Sequence, residues 1–351
     1  KSMDPQHRML LECAWEVVES ACLDPSKLKD LEAPTGVFVG CAAGDYPTRG
    51  KDLDFASTGI ASSTASGRIA YFFGITGTTM SIDTACSSAL VSLIYAVKAV
   101  GQNEIGLGLS FGVNALCTPD LFVCFSKAGM LSPDGRCKTF DAQANGYVRA
   151  EGCGGFLIGH DKHARASILS HFVNQDGRSN GLTAPNGPSQ VKLIREALGA
   201  AGLQGRDVSM LEAHGTGTTL GDPIEVQAVA EAMGQGRQDR ALVMGSAKTN
   251  FGHAETAAGV LGVLKVLVCL ERGIIARHLH LRELNGYIGT GLMEEMHCVV
   301  PLENVDWSGR QVAGVSSFGF SGTNAHVIVE QAKRALILED SLGEAFVVRV
   351  S

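Results

Sequence analysis

The chain has 351 residues, of which 45% are hydrophobic and only 19% charged, with 43 glycines. That is enough apolar material for a large buried core, and the low charge excludes both disorder and a coiled coil. Basic residues number 29 against 36 acidic ones, a formal charge of −7, so no cationic surplus marks a phosphate backbone as partner and nucleic acid is excluded. Uncharged runs such as 69–82 and 105–119 fall short of a membrane span and are broken by Gly, Ser, Thr or Pro. The opening Lys-Ser-Met-Asp-Pro-Gln-His-Arg is too polar for a secretory signal. None of the ten cysteines forms a Cys-x-x-Cys pair and no Cys/His cluster has zinc spacing, so no metal site is expected. They read as reduced thiols packed as small hydrophobes in a cytoplasmic compartment, or in an organelle such as a plastid, with one exception.

In chain order, 4–21 reads as an amphipathic helix capped by Asp4, with Pro5 in its first turn and Met9, Leu10, Cys13, Val17 and Val18 as its apolar stripe. Short strands are expected at 36–41 and 78–83, then a helix over 85–100. The run 105–113 is apolar on both faces, as in the middle of a covered sheet. Further strands follow at 152–158 and 166–172. The alternation then repeats: helix 189–201, strand 208–213, helix 223–233, strand 242–246, helix 254–270, and a closing hairpin of 312–318 with 325–330. Strands alternating with helices on continuous apolar runs predict a layered α/β fold. The helices at 85–100 and 254–270 begin with small residues and are apolar on nearly all sides, so both are predicted to be central and buried. One such helix per half suggests an internal duplication with its seam near 160–190.

The sharpest chemical feature is Asp83-Thr84-Ala85-Cys86-Ser87-Ser88-Ala89-Leu90. A strand ends there and a cysteine enters the first turn of a buried helix, where free N–H groups and the helix dipole favour a thiolate nucleophile. Two histidines stand at strand-to-helix corners among glycines: His214 in Glu212-Ala213-His214-Gly215-Thr216-Gly217-Thr218, and His253 in Lys248-Thr249-Asn250-Phe251-Gly252-His253. Such corners let a substrate approach closely. The remaining histidines, including His7, His160, His163, His278, His280 and His326, read as surface or structural. The turn Ser316-Ser317-Phe318-Gly319-Phe320-Ser321-Gly322-Thr323-Asn324 can offer backbone N–H donors to an oxyanion. Gly108-Leu109-Ser110-Phe111-Gly112 matches the hydrolase elbow but lies inside an apolar strand rather than at a corner. The glycines after His214 have neither dinucleotide nor phosphate-loop spacing, so no nucleotide cofactor is expected.

Taken together, the segments around Cys86, His214, His253 and Gly319 resemble the condensing enzymes of the β-ketoacyl synthase family, in particular the ketosynthase domain of type I modular polyketide synthases. The resemblance runs over 4–330 and includes Asp4-Pro5-Gln6-His7-Arg8, Ser132-Pro133-Asp134-Gly135-Arg136-Cys137, Asn174-Gln175-Asp176-Gly177, Asn180-Gly181-Leu182-Thr183-Ala184-Pro185-Asn186-Gly187 and Gly221-Asp222-Pro223-Ile224-Glu225. It implies a thiolase-like fold of two similar α/β halves in a five-layer αβαβα arrangement. The first half, 1–165, would carry the nucleophile and the second, 166–331, both histidines, with 332–351 left as a tail. The family's first strand, upstream of Asp4, is expected to be missing from the first half, and the link around 160–164 is shorter than usual.

The resemblance further implies that Cys86 accepts an acyl chain as a thioester from an acyl carrier protein. His214 and His253 would drive decarboxylation of a malonyl-type extender and stabilise its enolate. Lys248 matches the family lysine that supports the site, and Thr216 and Thr218 match positions that bind the pantetheine arm. The N–H groups of Cys86 and Phe320, beside Gly319, would form the oxyanion hole. Phe320 matches a gate residue where many polyketide ketosynthases carry something smaller. No cofactor is implied within the domain, since the phosphopantetheine arm arrives on the carrier. The implied partners are the acyl carrier protein, a second copy in a homodimer and further domains of a multidomain synthase. Thiolase and chalcone-synthase relatives pair their nucleophile with His plus Cys or His plus Asn, and non-elongating domains usually lose a histidine. Two histidines in these motifs speak against both.

Overall fold

The structure is a computed structural model and describes residues 2–46, 55–160, 164–237 and 240–332, with the backbone of 346–350. Asp4 caps α1 (Pro5–Ser20) by accepting the Gln6 N–H at 2.8 Å, and Leu10, Ala14, Val17 and Val18 form its buried stripe. The first half continues with β1 (Thr35–Gly40), α2 (Ser63–Phe73), β2 (Thr79–Ile82), α3 (Ser88–Gly101), β3 (Leu107–Asn114), α4 (Asp120–Lys127) and β4 (Gly152–Gly159). The second half holds β5 (Ala166–Gln175), α5 (Gly187–Ala200), β6 (Met210–Glu212), α6 (Gly221–Met233), β7 (Leu242–Gly245), α7 (Ala258–Arg272), β8 (Val312–Phe318) and β9 (Thr323–Gln331).

The strand order exposes the duplication. In the first half β1 lies parallel between β2 and β3, and β4 runs antiparallel to β3. In the second, β6 lies parallel between β7 and β8, and β9 runs antiparallel to β8. Strand β5 then adds antiparallel to β9. The matching place beside β4 is taken by a strand of the C-terminal segment, β10 (Phe346–Val350), which runs parallel to both β4 and β5. The backbone of 346–350, within the segment read as a tail, thus sits in the sheet between β4 and β5. An unpaired row of N–H and C=O groups is a liability wherever a sheet ends.

Side chains alternate across each strand, so every strand feeds two cores. Val37, Val39, Leu109, Phe111 and Val113 face outward onto α1 and α2, while Phe38, Phe156 and Ile158 face inward. In the second half Ala313, Val315, Val327 and Val329 face inward and Val312 and Ile328 face outward onto α5 and α6. Helices α3 and α7 fill the space between the two inner faces. The layers therefore run α1–α2, first sheet, α3–α7, second sheet, α5–α6, in agreement with the sequence reading.

Among the elements that escaped that reading are two helices. Helix α2 crosses the start of the uncharged run at 69–82, where composition alone gives no helix boundary. Helix α4 buries no residue and leaves Leu121, Phe122 and Val123 partly exposed. Cys22 and Cys124 are exposed rather than packed, unlike the buried Cys41, Cys137, Cys269 and Cys298. His7, His278 and His326 are buried and structural, His160 and His280 lie at the surface, and His163 falls outside the described residues. No helix among the described residues is long and apolar enough to cross a membrane.

The contact between α3 and α7 has no slack. A Cβ on Gly259 would lie 2.7 Å from both the Cβ and the backbone nitrogen of Leu90. Gly259→Ala is expected to destabilise the fold by about 1–3 kcal/mol through overpacking. Gly67 of α2 has nothing within 4 Å of an added Cβ, and Gly67→Ala should add about 0.5–1 kcal/mol through helix propensity. Denaturant unfolding of the two variants checks the contrast, and equal midpoints would show that the central helices are not in tight contact.

Candidate active site

Cys86 sits in a one-turn helix, Ala85–Ser87, that leads from β2 into α3. Ala85 is held at φ +55°, a left-handed conformation that costs a non-glycine residue about 1–3 kcal/mol. Short polar side chains hold it there. Asp83 Oδ1 accepts the Ala85 N–H at 3.0 Å, and Ser88 Oγ accepts the Thr84 N–H at 2.9 Å while donating to the Ala85 carbonyl at 2.6 Å. Ser317 Oγ donates to the Cys86 carbonyl at 2.7 Å, tying the nucleophile corner to β8 of the other half. The turn after β8 comes so close that a Cβ on Gly319 would lie 2.3 Å from the Thr84 carbonyl oxygen. Only glycine fits, and the closeness directs the Phe320 N–H at the Cys86 sulfur, beside the N–H of Cys86 itself.

His214 lies two residues beyond β6, and His253 lies two residues before Glu255–Ala257, the leading turn of α7. Their rings lie 5.6 Å apart at an interplanar angle of 87°. Each Nδ1 is already an acceptor: the Phe318 N–H donates to that of His214 at 3.3 Å, and the Glu255 N–H to that of His253 at 3.3 Å. With Nδ1 so occupied, the neutral rings carry their proton on Nε2. Neutrality is enforced as well. Burial pulls both histidines well below the usual imidazole range, and the Lys248 ammonium pulls further in the same direction. The site therefore presents two hydrogen-bond donors rather than two bases.

Lys248 is itself buried and does not line the cavity. Its Nζ donates to the His214 carbonyl at 2.5 Å, and burial lowers its pKa against the upward pull of Glu212 and Glu225. The Glu225 carboxylate receives the N–H groups of His214 at 2.7 Å and Gly215 at 2.9 Å, with burial raising its pKa to about 7. Gly215 and Gly217 take positive φ, which lets this loop wrap over the carboxylate.

One cavity of about 400 Å³ collects Cys86, His214, His253, Thr216, Thr218, Gly319 and Phe320. Of the residues expected from the sequence, only Lys248 stands behind the wall. Phe320 is 48% exposed and stands at the mouth. Tyr147 joins the lining and meets the edge of the His253 ring at 5.1 Å. Tyr147, Glu225, Arg149 and Glu255 were assigned no role from the sequence, since their partners are 10 to 106 residues away or lie across a turn. Ser110 of the discounted elbow is buried in β3 against Ser92, 3.1 Å away. Among the described residues no His/Cys/Asp/Glu group could hold a metal.

One expectation is reversed. The position at a helix N-terminus predicts a depressed Cys86 pKa, but burial and the Glu255 carboxylate push the thiol up to about 11. Lys248 and the two N–H groups pull the other way and are outweighed. Desolvation of a sulfur anion is the larger effect in so closed a corner.

Comparison with known families and structures gives concordant matches for the family and the fold. Residues 1–164 match the N-terminal domain of β-ketoacyl synthases, 165–282 the C-terminal domain, and 291–351 the ketoacyl-synthetase C-terminal extension. The chain is 47% identical over 346 residues to a spectinabilin polyketide synthase system protein of Streptomyces orinoci, covering 94% of this chain and 9% of that protein. It is 46% identical to an erythronolide synthase of Saccharopolyspora erythraea, covering 94% of this chain and 10% of that protein. Among solved structures, an oxazolomycin ketosynthase domain of Streptomyces albus superposes with a TM-score of 0.89 at 32% identity, over 97% of this chain and 61% of that one. A ketosynthase from module 6 of the bacillaene synthase of Bacillus subtilis gives 0.86 at 36% identity, over 95% and 59%. The chain thus spans about a tenth of these curated relatives and about three-fifths of these solved chains.

With its thiol near 11, Cys86 is almost wholly protonated at neutral pH, and its thiolate fraction grows about tenfold per pH unit. Alkylation of Cys86 by iodoacetamide, followed by peptide mass spectrometry, should therefore accelerate about tenfold per unit from pH 7 to 9. A rate already level at pH 7 would show that the helix terminus outweighs burial after all.

Proposed function

Since the chain belongs to the β-ketoacyl synthase family, we propose that it lengthens carrier-bound acyl chains by decarboxylative Claisen condensation in polyketide or related fatty-acid biosynthesis. The observation that carries this reading is the pairing of one cysteine with two neutral imidazoles, both presenting Nε2–H to the same cavity. A hydrolase would need a ring nitrogen free to act as base; a decarboxylating condensation needs donors where enolate charge develops.

In the first step the Cys86 sulfur attacks the thioester of an acyl chain on the pantetheine arm of an acyl carrier protein. The N–H groups of Cys86 and Phe320 hold the tetrahedral oxyanion, the C–S bond to the carrier breaks, and the Cys86 proton ends on the released carrier thiol. No base of the enzyme is consumed, which suits a thiol that rests protonated. A malonyl-type extender on a second carrier then takes the emptied arm-binding channel, lined by Thr216 and Thr218. Its carboxylate leaves as carbon dioxide, and the electron pair delocalises onto the thioester oxygen, held by the Nε2–H groups of His214 and His253. The enolate carbon attacks the acyl group, the bond to Cys86 breaks, and the β-ketoacyl product leaves on the carrier while Cys86 regains a proton. Lys248 and Glu225 hold the backbone of His214 in place throughout.

The same reading includes a homodimer within a multidomain synthase, in the cytoplasm. In its support, β2 closes one edge of the large sheet with its outer side unpaired by any described strand, and it runs directly into the Cys86 corner. All ten cysteines are free thiols.

Intact-mass measurement of acyl loading, run beside carbon dioxide release from a malonyl carrier, tests the assignment. Cys86→Ala should lose loading entirely, and Cys86→Gln should lose condensation while keeping decarboxylation. His214→Ala and His253→Ala should still load, more slowly, but lose decarboxylation by roughly 3–5 kcal/mol in barrier. Thr216→Ala and Thr218→Ala should raise KM more than they lower kcat. A histidine variant that loses loading yet keeps decarboxylation would make that histidine the activator of Cys86 and overturn the reading.

A further inference from the structure

The segment leading into β4 and the turn before α7 meet around His253 in a closed loop of contacts. His253 donates its N–H to the Val148 carbonyl at 2.7 Å, and its own carbonyl accepts the Ala150 N–H at 2.9 Å. The residue between those two, Arg149, therefore runs alongside His253 as a bridge partner. Its side chain reaches past the histidine to Glu255. Arg149 Nε lies 2.5 Å from Glu255 Oε1 and Nη2 lies 2.9 Å from Oε2, a fork-to-carboxylate pair. The arginine side chain is 1% exposed and the glutamate 16%. The guanidinium also stacks on two rings of α4, 4.7 Å from Phe122 and 5.2 Å from Phe125.

Glu255 is held at φ +45°, a strained conformation for a side-chain-bearing residue. That same residue gives its backbone N–H to His253 Nδ1. A glutamate released from its partner gains energy by leaving the left-handed region, and with it the N–H that selects the histidine tautomer moves away. The pair is poorly explained by stability alone. A buried ion pair often contributes nothing net over apolar residues of similar volume, because desolvation offsets its attraction.

We infer that the Arg149–Glu255 pair positions His253: it holds the Glu255 turn so that the Glu255 N–H stays on Nδ1 and the ring keeps its Nε2–H directed at the extender. This rests on the decarboxylating role proposed above for His253. Arg149 and Glu255 touch no substrate and are positioning residues. The loading half-reaction uses Cys86 and the two oxyanion donors; the Glu255 charge reaches it only by raising the Cys86 thiol, so loss of that charge eases loading rather than impairing it.

The test uses two variants, each measured for acyl loading, for carbon dioxide release from malonyl carrier, and by 15N NMR of histidine-labelled protein. Arg149→Met/Glu255→Gln removes both charges together, so no buried charge is stranded. Arg149→Lys keeps the charge but loses the two-pronged geometry. In both, carbon dioxide release should fall about tenfold or more, the scale of one lost hydrogen bond to the reacting ring, while loading falls by no more than about threefold and, in the double variant, rises as the Cys86 thiol is freed of the Glu255 charge. The His253 signals should shift from a single Nε2–H form toward a mixture of tautomers. If the double variant does not fold, Arg149→Lys decides by the same readouts. Wild-type carbon dioxide release, or a fall without a change in tautomer, overturns the inference. His253→Ala separates the two levels: should it keep decarboxylation, the functional reading itself fails, whereas its loss beside unaffected pair variants removes only the inference.

Discussion

Everything at this site depends on two apolar helices lying side by side at the centre of the molecule. Helices α3 and α7 touch where Gly259 meets Leu90, with no room for another carbon. Each is entered through a one-turn helix whose first residue, Ala85 or Glu255, is forced to positive φ. The duplication therefore produces two matching corners, and close packing of the helices brings them together. One corner carries Cys86. The other carries His253 just ahead of it, and His214 arrives from the end of the neighbouring β6. The distances between these groups follow from helix packing rather than from any direct bond between the side chains.

Burial then sets the chemistry. Removing solvent raises the thiol of Cys86 and keeps both imidazoles neutral, so these three side chains carry no charge at rest. The charges nearby act on them indirectly. Lys248 acts through the His214 carbonyl, Glu225 through two backbone N–H groups, and Glu255 through its pairing with Arg149. In so low a dielectric a fixed dipole is worth more than in water, and needs no reorganisation as charge develops. Backbone N–H groups supply most of those dipoles, which is why the corners are crowded with glycine, serine and threonine.

Much of this was legible in the chain. Alternating apolar runs marked most strands of both halves, and the absence of a polar face on 85–100 and 254–270 marked the central helices, because a helix with no polar side has nowhere to go but inside. Helix α2 was not legible, since only uncharged residues separate it from β2, and α4 was not legible because its apolar stripe is only two turns long. The strand Phe346–Val350 pairs with two strands far away in sequence, and no local pattern announces which ladder a short apolar segment will join.

By itself the sequence determined which side chains the candidate site would gather. Cys86, His214 and His253 stand in turns whose glycines and small polar residues allow little else, and local rules of backbone conformation act on such turns. Only the tertiary structure decided the state of those groups. Whether Cys86 is a thiol or a thiolate depends on how much water reaches it and on Glu255, which belongs to the other half of the molecule. Which nitrogen of each histidine bears the proton depends on Phe318 and Glu255 N–H groups placed by folding. Protonation is settled by solvent and by charges brought close in space, and neither has a counterpart in the order of residues along the chain.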